Sequence, residues 1–282
     1  MAGTLFVVAT PIGNLEDISA RALRVLREVA LIAAEDTRRT AKLLARHGIT
    51  THTISLHAHN ERRKVGDIVA RLQRGDGVAL VSDAGTPTIS DPGAPLIAAA
   101  AAAGLRVEPI PGPSAVMTIL SASGFELDGF TFLGFPPNGQ ADRRIWFDRL
   151  ASSAPCAVFY EAPHRIRYTL EALQRRVGDV EVVVGRELTK IHEEFFRGTI
   201  SAVLPRIVEA LGEFTVAVRL GAATEASAAQ ELSAKMATEI FGELTEKPGL
   251  TRRQAIAKIS RDYGLSARSV FALLEDGKSL AR

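Results

Sequence analysis

Cysteine is almost missing: Cys156 is the single one in 282 residues. One thiol excludes an internal disulfide and a cysteine-only metal site. It lies in an apolar run and reads as a small core residue. Long hydrophobic runs are missing too. The longest, Pro95 to Gly104, is mostly alanine and too short to span a bilayer. No basic region precedes the first apolar stretch, and Val8 is soon followed by Thr10 and Pro11. That argues against a signal peptide and makes the cytoplasm the expected setting, with no membrane partner. Neither sign of charge dominates. With a formal net charge of +2, any nucleic-acid contact must use local patches. There is no Gly-x-x-x-x-Gly-Lys-Ser/Thr phosphate loop, no Ser nucleophile elbow and no Gly-x-Gly-x-x-Gly after the first apolar run.

What is present reads as an α/β protein. Apolar residues make up 46% and charged residues 23%, the balance of a soluble globular chain. The length fits two domains with an appendage. Short apolar runs at Leu5 to Ala9, Leu31 to Ala34, Thr53 to Leu56, Val78 to Val81 and Arg106 to Ile110 alternate with helical patterns. The helices are expected over Ala20 to Val29, Arg39 to His47, Arg62 to Arg74, Ala94 to Ala103 and Ser114 to about Ala122. That rhythm predicts a parallel sheet over residues 1–124. It breaks at Gly124 to Phe130. A second α/β unit with a mixed sheet is predicted for residues 125–221. Its strands are expected near Thr131 to Leu133, Ala157 to Tyr160, Glu181 to Gly185, Glu193 to Arg197 and Phe214 to Leu220. Its helices are expected near Arg144 to Ala151, Arg165 to Arg176 and Ile200 to Ala210, with a loop over Pro136 to Asp142. Residues 222–282 read as an Ala-rich linker and a helical appendage. In it Arg252 to Tyr263 and Ala267 to Glu275 flank a Gly264-Leu265 turn, as in a helix-turn-helix.

Polar chemistry gathers at the ends of the expected strands. Three loops rich in Pro and Gly follow three of them. They are Ala9-Thr10-Pro11-Ile12-Gly13-Asn14, Val81-Ser82-Asp83-Ala84-Gly85-Thr86-Pro87-Thr88-Ile89-Ser90-Asp91-Pro92-Gly93, and Pro109-Ile110-Pro111-Gly112-Pro113-Ser114. Ligands of open α/β sheets bind at that edge, and stiff loops with short polar groups suit a polar small molecule. Two other strands end in Glu35-Asp36-Thr37-Arg38 and in His57-Ala58-His59-Asn60-Glu61. His57 and His59 would share a face, but no third ligand with suitable spacing presents itself, so no metal is expected. Arg38, Arg39, Arg62, Arg63 and Lys64 could form a basic rim that positions phosphates. In the second unit Tyr160-Glu161-Ala162-Pro163-His164-Arg165 and Arg186-Glu187-Leu188-Thr189-Lys190 again put charges at strand ends.

Taken in order, these motifs resemble the tetrapyrrole-methylase superfamily, and most closely its ribosomal-RNA branch. The resemblance runs from Gly3 to about Leu220. It departs mildly at Ser114-Ala115, where many members of the branch have Cys-Ala, and at Pro163, which is often Ser. A first loop reading Pro11-Ile12-Gly13-Asn14, in place of a Gly-Pro-Gly-Asp-Pro type, favours the RNA branch. The resemblance implies two α/β domains with S-adenosylmethionine (SAM) between them and a homodimer. It also implies methyl transfer to the ribose 2′-oxygen of a cytidine in the decoding region of 16S ribosomal RNA, within the small ribosomal subunit. It places the cofactor on Pro11, Ile12, Gly13, Asp83, Ala84, Gly85, Thr86, Pro87, Ile89, Ser90, Pro111, Gly112, Pro113 and Ser114.

Ribose hydroxyls are poor nucleophiles, so a base or a cation at the cleft would help. The charged strand ends offer Asp36, His59, Glu61, Glu187 and Lys190. Arg38, Arg39, Arg62, Arg63 and Lys64 are the candidate RNA-backbone contacts, with His57 and Asn60 beside them. A methyltransferase of a porphyrinoid small molecule and a non-catalytic RNA-binding factor on the same fold are the alternatives.

Overall fold

The computed structural model describes residues 2–153, 155–208, 211–220, 234–246, 250–263 and 266–280. Its first sheet holds β1 (Thr4–Val8), β2 (Leu31–Ala34), β3 (Thr53–Ser55), β4 (Val78–Val81) and β5 (Arg106–Ile110) in the order β3-β2-β4-β1-β5. Every pairing is parallel. Helices α1 (Ala20–Glu28), α2 (Thr37–Arg46), α3 (Glu61–Gln73) and α4 (Ala94–Ala102) make the crossovers. They cover both faces, so β2 and β4 are buried at every residue, as two-sided parallel strands must be. One face packs Leu26, Leu43 and Leu44 onto Ile32 and Val81. The other packs Ile68, Leu72 and Leu96 onto Leu31 and Leu80.

Local chemistry fixes these helices. Ser19 caps α1 through the Ala22 N–H, and Asp36 caps α2 through the Arg38 N–H, each satisfying a donor the helix cannot. Helix α4 starts at Gly93, whose φ is +118°. A Cβ there would meet Leu80 Cδ2 at 2.7 Å, so both backbone angle and space require glycine.

The second sheet, β6 (Thr131–Phe132), β7 (Cys156–Glu161), β8 (Glu181–Arg186), β9 (Glu194–Thr199) and β10 (Phe214–Arg219), runs β6-β7-β10-β8-β9. β6 is parallel to β7 and the other pairs are antiparallel, giving the expected mixed sheet. Helices α6 (Gln140–Ala151), α7 (Ile166–Val177) and α8 (Ile200–Val203) cover one face. The other face is covered by α5 (Ala115–Ser121), which follows β5 in sequence. Its Val116, Ile119 and Leu120 pack on Val158, Val183 and Ala217. Cys156 is fully buried.

Two expected elements differ. The helix from Ile200 ends at Val203, and Leu204–Arg206 tightens into a 3-10 turn, because Pro205 has no N–H to continue the ladder. The Pro136 to Asp142 loop is shorter, since α6 begins at Gln140. Among its described residues the terminal segment holds three helices: α9 (Ala234–Glu246), α10 (Arg252–Tyr263) and α11 (Ala267–Leu280). They share a core of Ala237, Ile259, Val270 and Leu274. The expected Ala-rich linker and the Gly264-Leu265 turn lie outside the described residues. No described helix is long and apolar enough to cross a membrane.

Phe159 is fully buried, with its ring 5.2 Å from Trp146 in an edge contact. Phe159→Ala should cost about 3–5 kcal/mol, read by urea unfolding; a cost below about 1 kcal/mol would mean that the core collapses to fill the gap.

Candidate active site

Strand order decides where the loops go. β4, β1 and β5 are neighbours, so the three Pro/Gly loops that follow them stand side by side. Chain direction also reverses here: β1 leads outward past β4 to β2, while β4 leads past β1 to β5. Such a switch point opens a crevice at the carboxyl ends of the strands. Two hydrogen bonds between Thr10 and Gly85, each 2.9 Å, tie the first two loops together. The Thr86 hydroxyl reaches Pro113 O at 3.4 Å and ties in the third. Thr88 and Ser90 hold φ values of 72° and 68°, uncommon for residues with a side chain and a sign of an over-determined loop.

The second sheet closes over this edge and leaves a cavity of about 440 Å³. From the first unit come Ile12, Glu35, Arg39, Asp83 to Thr86, Ile89 to Asp91, Ser114 and Ala115. From the second come Phe135, Tyr160 to Pro163, Leu188 and Glu213 to Thr215. The β8–β9 turn clasps the first loop: Asn14 N–H donates to Thr189 Oγ1 at 3.0 Å. A Cβ on Gly13 would meet Lys190 Cγ at 2.5 Å.

The expected cofactor residues divide cleanly. Ile12, Asp83, Ala84, Gly85, Thr86, Ile89, Ser90 and Ser114 line the cavity. Pro11, Gly13, Pro87, Pro111, Gly112 and Pro113 belong to the same loops but do not line it. Gly112 is pressed on Ala9, where an added Cβ would meet its Cβ at 3.1 Å.

Of the five charged residues considered for catalysis, none lines the cavity. Asp36 caps α2, and the hydrogen bonds and charge of Arg38 hold its carboxyl far below the usual range. Glu61 accepts the Gly93 N–H at 2.9 Å and so caps α4. His59 is exposed on the loop after β3, the strand at the sheet's far edge. Glu187 and Lys190 pair at 2.9 Å, and Lys190 also reaches Glu213 at 3.0 Å. Burial pushes the Glu187 carboxyl up, but Lys190 and the Glu213 N–H outweigh it and hold it low. Burial likewise lowers Lys190, and Glu187 and Glu213 more than reverse it.

The expected RNA contacts also separate. Arg38, Arg62 and Arg63 are exposed. Arg39 lines the cavity and meets Asp83 at 3.5 Å. Lys64 folds back, donating to Ser55 O at 2.7 Å. Asn60 Oδ1 accepts the His57 N–H at 2.9 Å and its amide meets His57 Nε2 at 3.0 Å, so both residues build their own turn.

Three groups outside the named catalytic and cofactor candidates prove central: Glu35, Asp91 and Glu161. Glu35 accepts the Asp83 N–H at 3.2 Å. Burial and the charges of Glu35 and Asp83 push the Asp91 carboxyl up to about 6. Burial, then Asp91, pushes Tyr160 up to about 12. Glu161 has no exposed side-chain surface. It takes Arg165 Nη2 at 2.6 Å, the Ala162 N–H at 2.8 Å and the Thr169 hydroxyl at 2.5 Å, and Arg143 Nη2 donates to Thr169 at 2.5 Å. Phe135 carried no signal, because its place depends on how the second sheet folds over the first.

The sequence pattern of the tetrapyrrole (corrin/porphyrin) methylases matches residues 4–204. The chain belongs to the tetrapyrrole methylase family. Among curated relatives, the ribosomal RNA small subunit methyltransferase I of Synechocystis is 42% identical, over 96% of this chain and 97% of that protein. Its namesake from Bacillus subtilis is 40% identical, over 95% and 93%. That from Pseudomonas aeruginosa is 52% identical, over 68% of each. Solved tetrapyrrole methylases share the fold at low identity. The methyltransferase CobJ matches at 20% identity and a TM-score of 0.59, over 78% of this chain and 95% of that one. Uroporphyrin-III C-methyltransferase of Thermus thermophilus, complexed with S-adenosylhomocysteine, matches at 15% and 0.56, over 77% and 97%.

In this tetrapyrrole methylase the buried Glu161 pins the cavity wall at Ala162 and Pro163. Glu161→Gln leaves Arg143 and Arg165 with no full charge opposite, and should cost about 3–5 kcal/mol in chemical unfolding. A cost under about 1 kcal/mol would mean that the guanidinium groups escape to water.

Proposed function

We propose that this chain is a SAM-dependent methyltransferase that 2′-O-methylates the ribose of a cytidine in the decoding region of 16S ribosomal RNA. The observation that carries the reading is the cavity itself, read with the family. It is formed from both sheets, sets acidic side chains among apolar ones, and its 440 Å³ lies in the range of sites that enclose a small cofactor. Its lining fits SAM. Carboxylates at Glu35 and Asp83 suit a cation and ribose hydroxyls. Backbone at Ala84 to Thr86 offers polar groups at close approach, and Ile12, Phe135 and Leu188 offer apolar contact for a base. SAM supplies an already activated methyl group on sulfur. The chain's part is to align the acceptor oxygen and keep water out.

Arg62 and Arg63 are exposed and can meet phosphates, Arg38 is exposed with its guanidinium on Asp36, and Arg39 lines the cavity. Binding within the small subunit, a homodimer and a cytoplasmic setting belong to the same proposal. Sedimentation of the purified chain tests the dimer. A protein sedimenting as a monomer at working concentration would remove it.

The direct test incubates the protein with methyl-labelled SAM and either free 16S RNA or small subunits lacking the modification. Label in a nuclease-resistant cytidine dinucleotide is the expected result. No label in either, with SAM bound, would favour a porphyrinoid acceptor or a binding factor, and uroporphyrinogen as acceptor would separate those two. A second test concerns the rim. Replacing Arg38, Arg62 and Arg63 with Ala should weaken RNA binding regardless of sequence and lower the salt slope by about 1 per lost contact. An unchanged slope would take the rim out of the RNA interface.

A further inference from the structure

The cavity holds five carboxylates, and four of them are engaged. Glu161 is closed in by Arg165, Arg143 and Thr169. Asp83 accepts the Asp36 N–H at 2.9 Å and meets Arg39. Glu35 accepts the Asp83 N–H. Glu213 pairs with Lys190 and is largely exposed. Asp91 differs: among the described residues it forms no ion pair and accepts no backbone N–H. The Ser82 hydroxyl stands beside it, and Glu35, Asp83 and Tyr160 are the charged or titratable groups that face it. Its backbone is fixed on both sides. Ser90 is held at φ 68°, Pro92 is rigid, and the Gly93 N–H is anchored by Glu61.

We infer that Asp91 is the catalytic base, taking the proton of the acceptor ribose 2′-hydroxyl as the methyl group arrives. The inference rests on the methyltransferase reading above. Asp91 forms the new O–H bond as the ribose O–H bond breaks, and the oxygen's electron pair bonds the methyl carbon. The carbon–sulfur bond breaks with its pair going to sulfur. Carboxylate, alcohol and sulfonium become carboxylic acid, methyl ether and thioether, so total charge is zero before and after. An anion and a cation vanish together, a change that a dry cavity favours over water. The unneutralised carboxylate is the one suited to this. Burial and its acidic neighbours place its titration at about 6, where it is ionised at neutral pH yet still basic. Tyr160 keeps its proton throughout and remains a donor.

The experiment compares wild type with Asp91→Asn in four readouts. Single-turnover transfer to unmodified small subunits is followed from about pH 5 to about pH 8 at saturating SAM, and Asn should lower the rate by about 10²–10⁴-fold. The wild-type rate should rise with pH and level off above about 6, and the variant should lose that bend. Calorimetry should find S-adenosylhomocysteine affinity unchanged. Carbon-13 NMR of the ligand-free protein should show one carboxyl titrating near 6 that is absent from the variant. A raised carboxyl titration favours the folded state at low pH and loses that advantage as pH climbs through about 6. Above that value the neutral variant should therefore melt at or above the wild-type temperature. A variant that keeps the rate or the bend overturns the inference. So does one that loses cofactor affinity in step with turnover, or a ligand-free protein with no carboxyl titrating near 6. Wild type that binds S-adenosylhomocysteine but transfers nothing would instead bring down the methyltransferase reading, and this inference with it.

Discussion

The reciprocal hydrogen bonds between Thr10 and Gly85 are the point on which the site turns. They are backbone to backbone, so they constrain where the chain can go whatever side chains follow. They bring the ends of β1 and β4 to a common edge. The Asp83 to Pro87 segment and the Pro11 to Gly13 segment then share one wall. Gly85 sits at φ 78°, which lets its N–H and C=O both face Thr10. Buried polar groups at this depth need partners, and the Thr10 hydroxyl finds one at Ser82 O, 3.1 Å away. The floor of the cavity is therefore satisfied internally, and the groups left over at its surface are the ones free for chemistry.

Electrostatics in the cavity follow from one asymmetry. The second sheet brings two arginines to Glu161 and a lysine to Glu213. The first sheet brings one arginine, Arg39, to a group of three acids. Negative charge is thus concentrated beneath β2 and β4. Asp91 sits in that excess, at the base of the longest loop.

Much of this was legible in the chain. Alternating apolar runs and helical patterns gave the parallel sheet, because two-sided burial forces continuous apolar strands such as Val78 to Val81. Pro and Gly at three strand ends gave the loops, because only such residues make stiff, unusual turns. What stayed hidden was order and orientation. A five-strand rhythm does not say that β3 falls at the edge. His59 and Glu61 therefore looked as central as Asp83, although Glu61 only caps α4. Glu187 and Lys190 read as active charges because the sequence does not reveal that they meet each other. Asp91 read as one of several short polar groups in a binding loop, because its neighbours Glu35 and Tyr160 come from distant parts of the chain. Pro205 was visible and should have shortened the helix from Ile200.

Helix α5 has a mechanical consequence. It is rooted in the first sheet through β5 but glued to the second through Val116, Ile119 and Leu120. Any swing of the second sheet drags α5 along, and the covalent pivot is the short run Pro111-Gly112-Pro113. Two of its three φ angles are locked by rings, and Gly112 is wedged against Ala9. Any change in the angle between the two sheets would therefore have to work against this stiff run next to Ser114, and would alter the cavity's opening and its floor together.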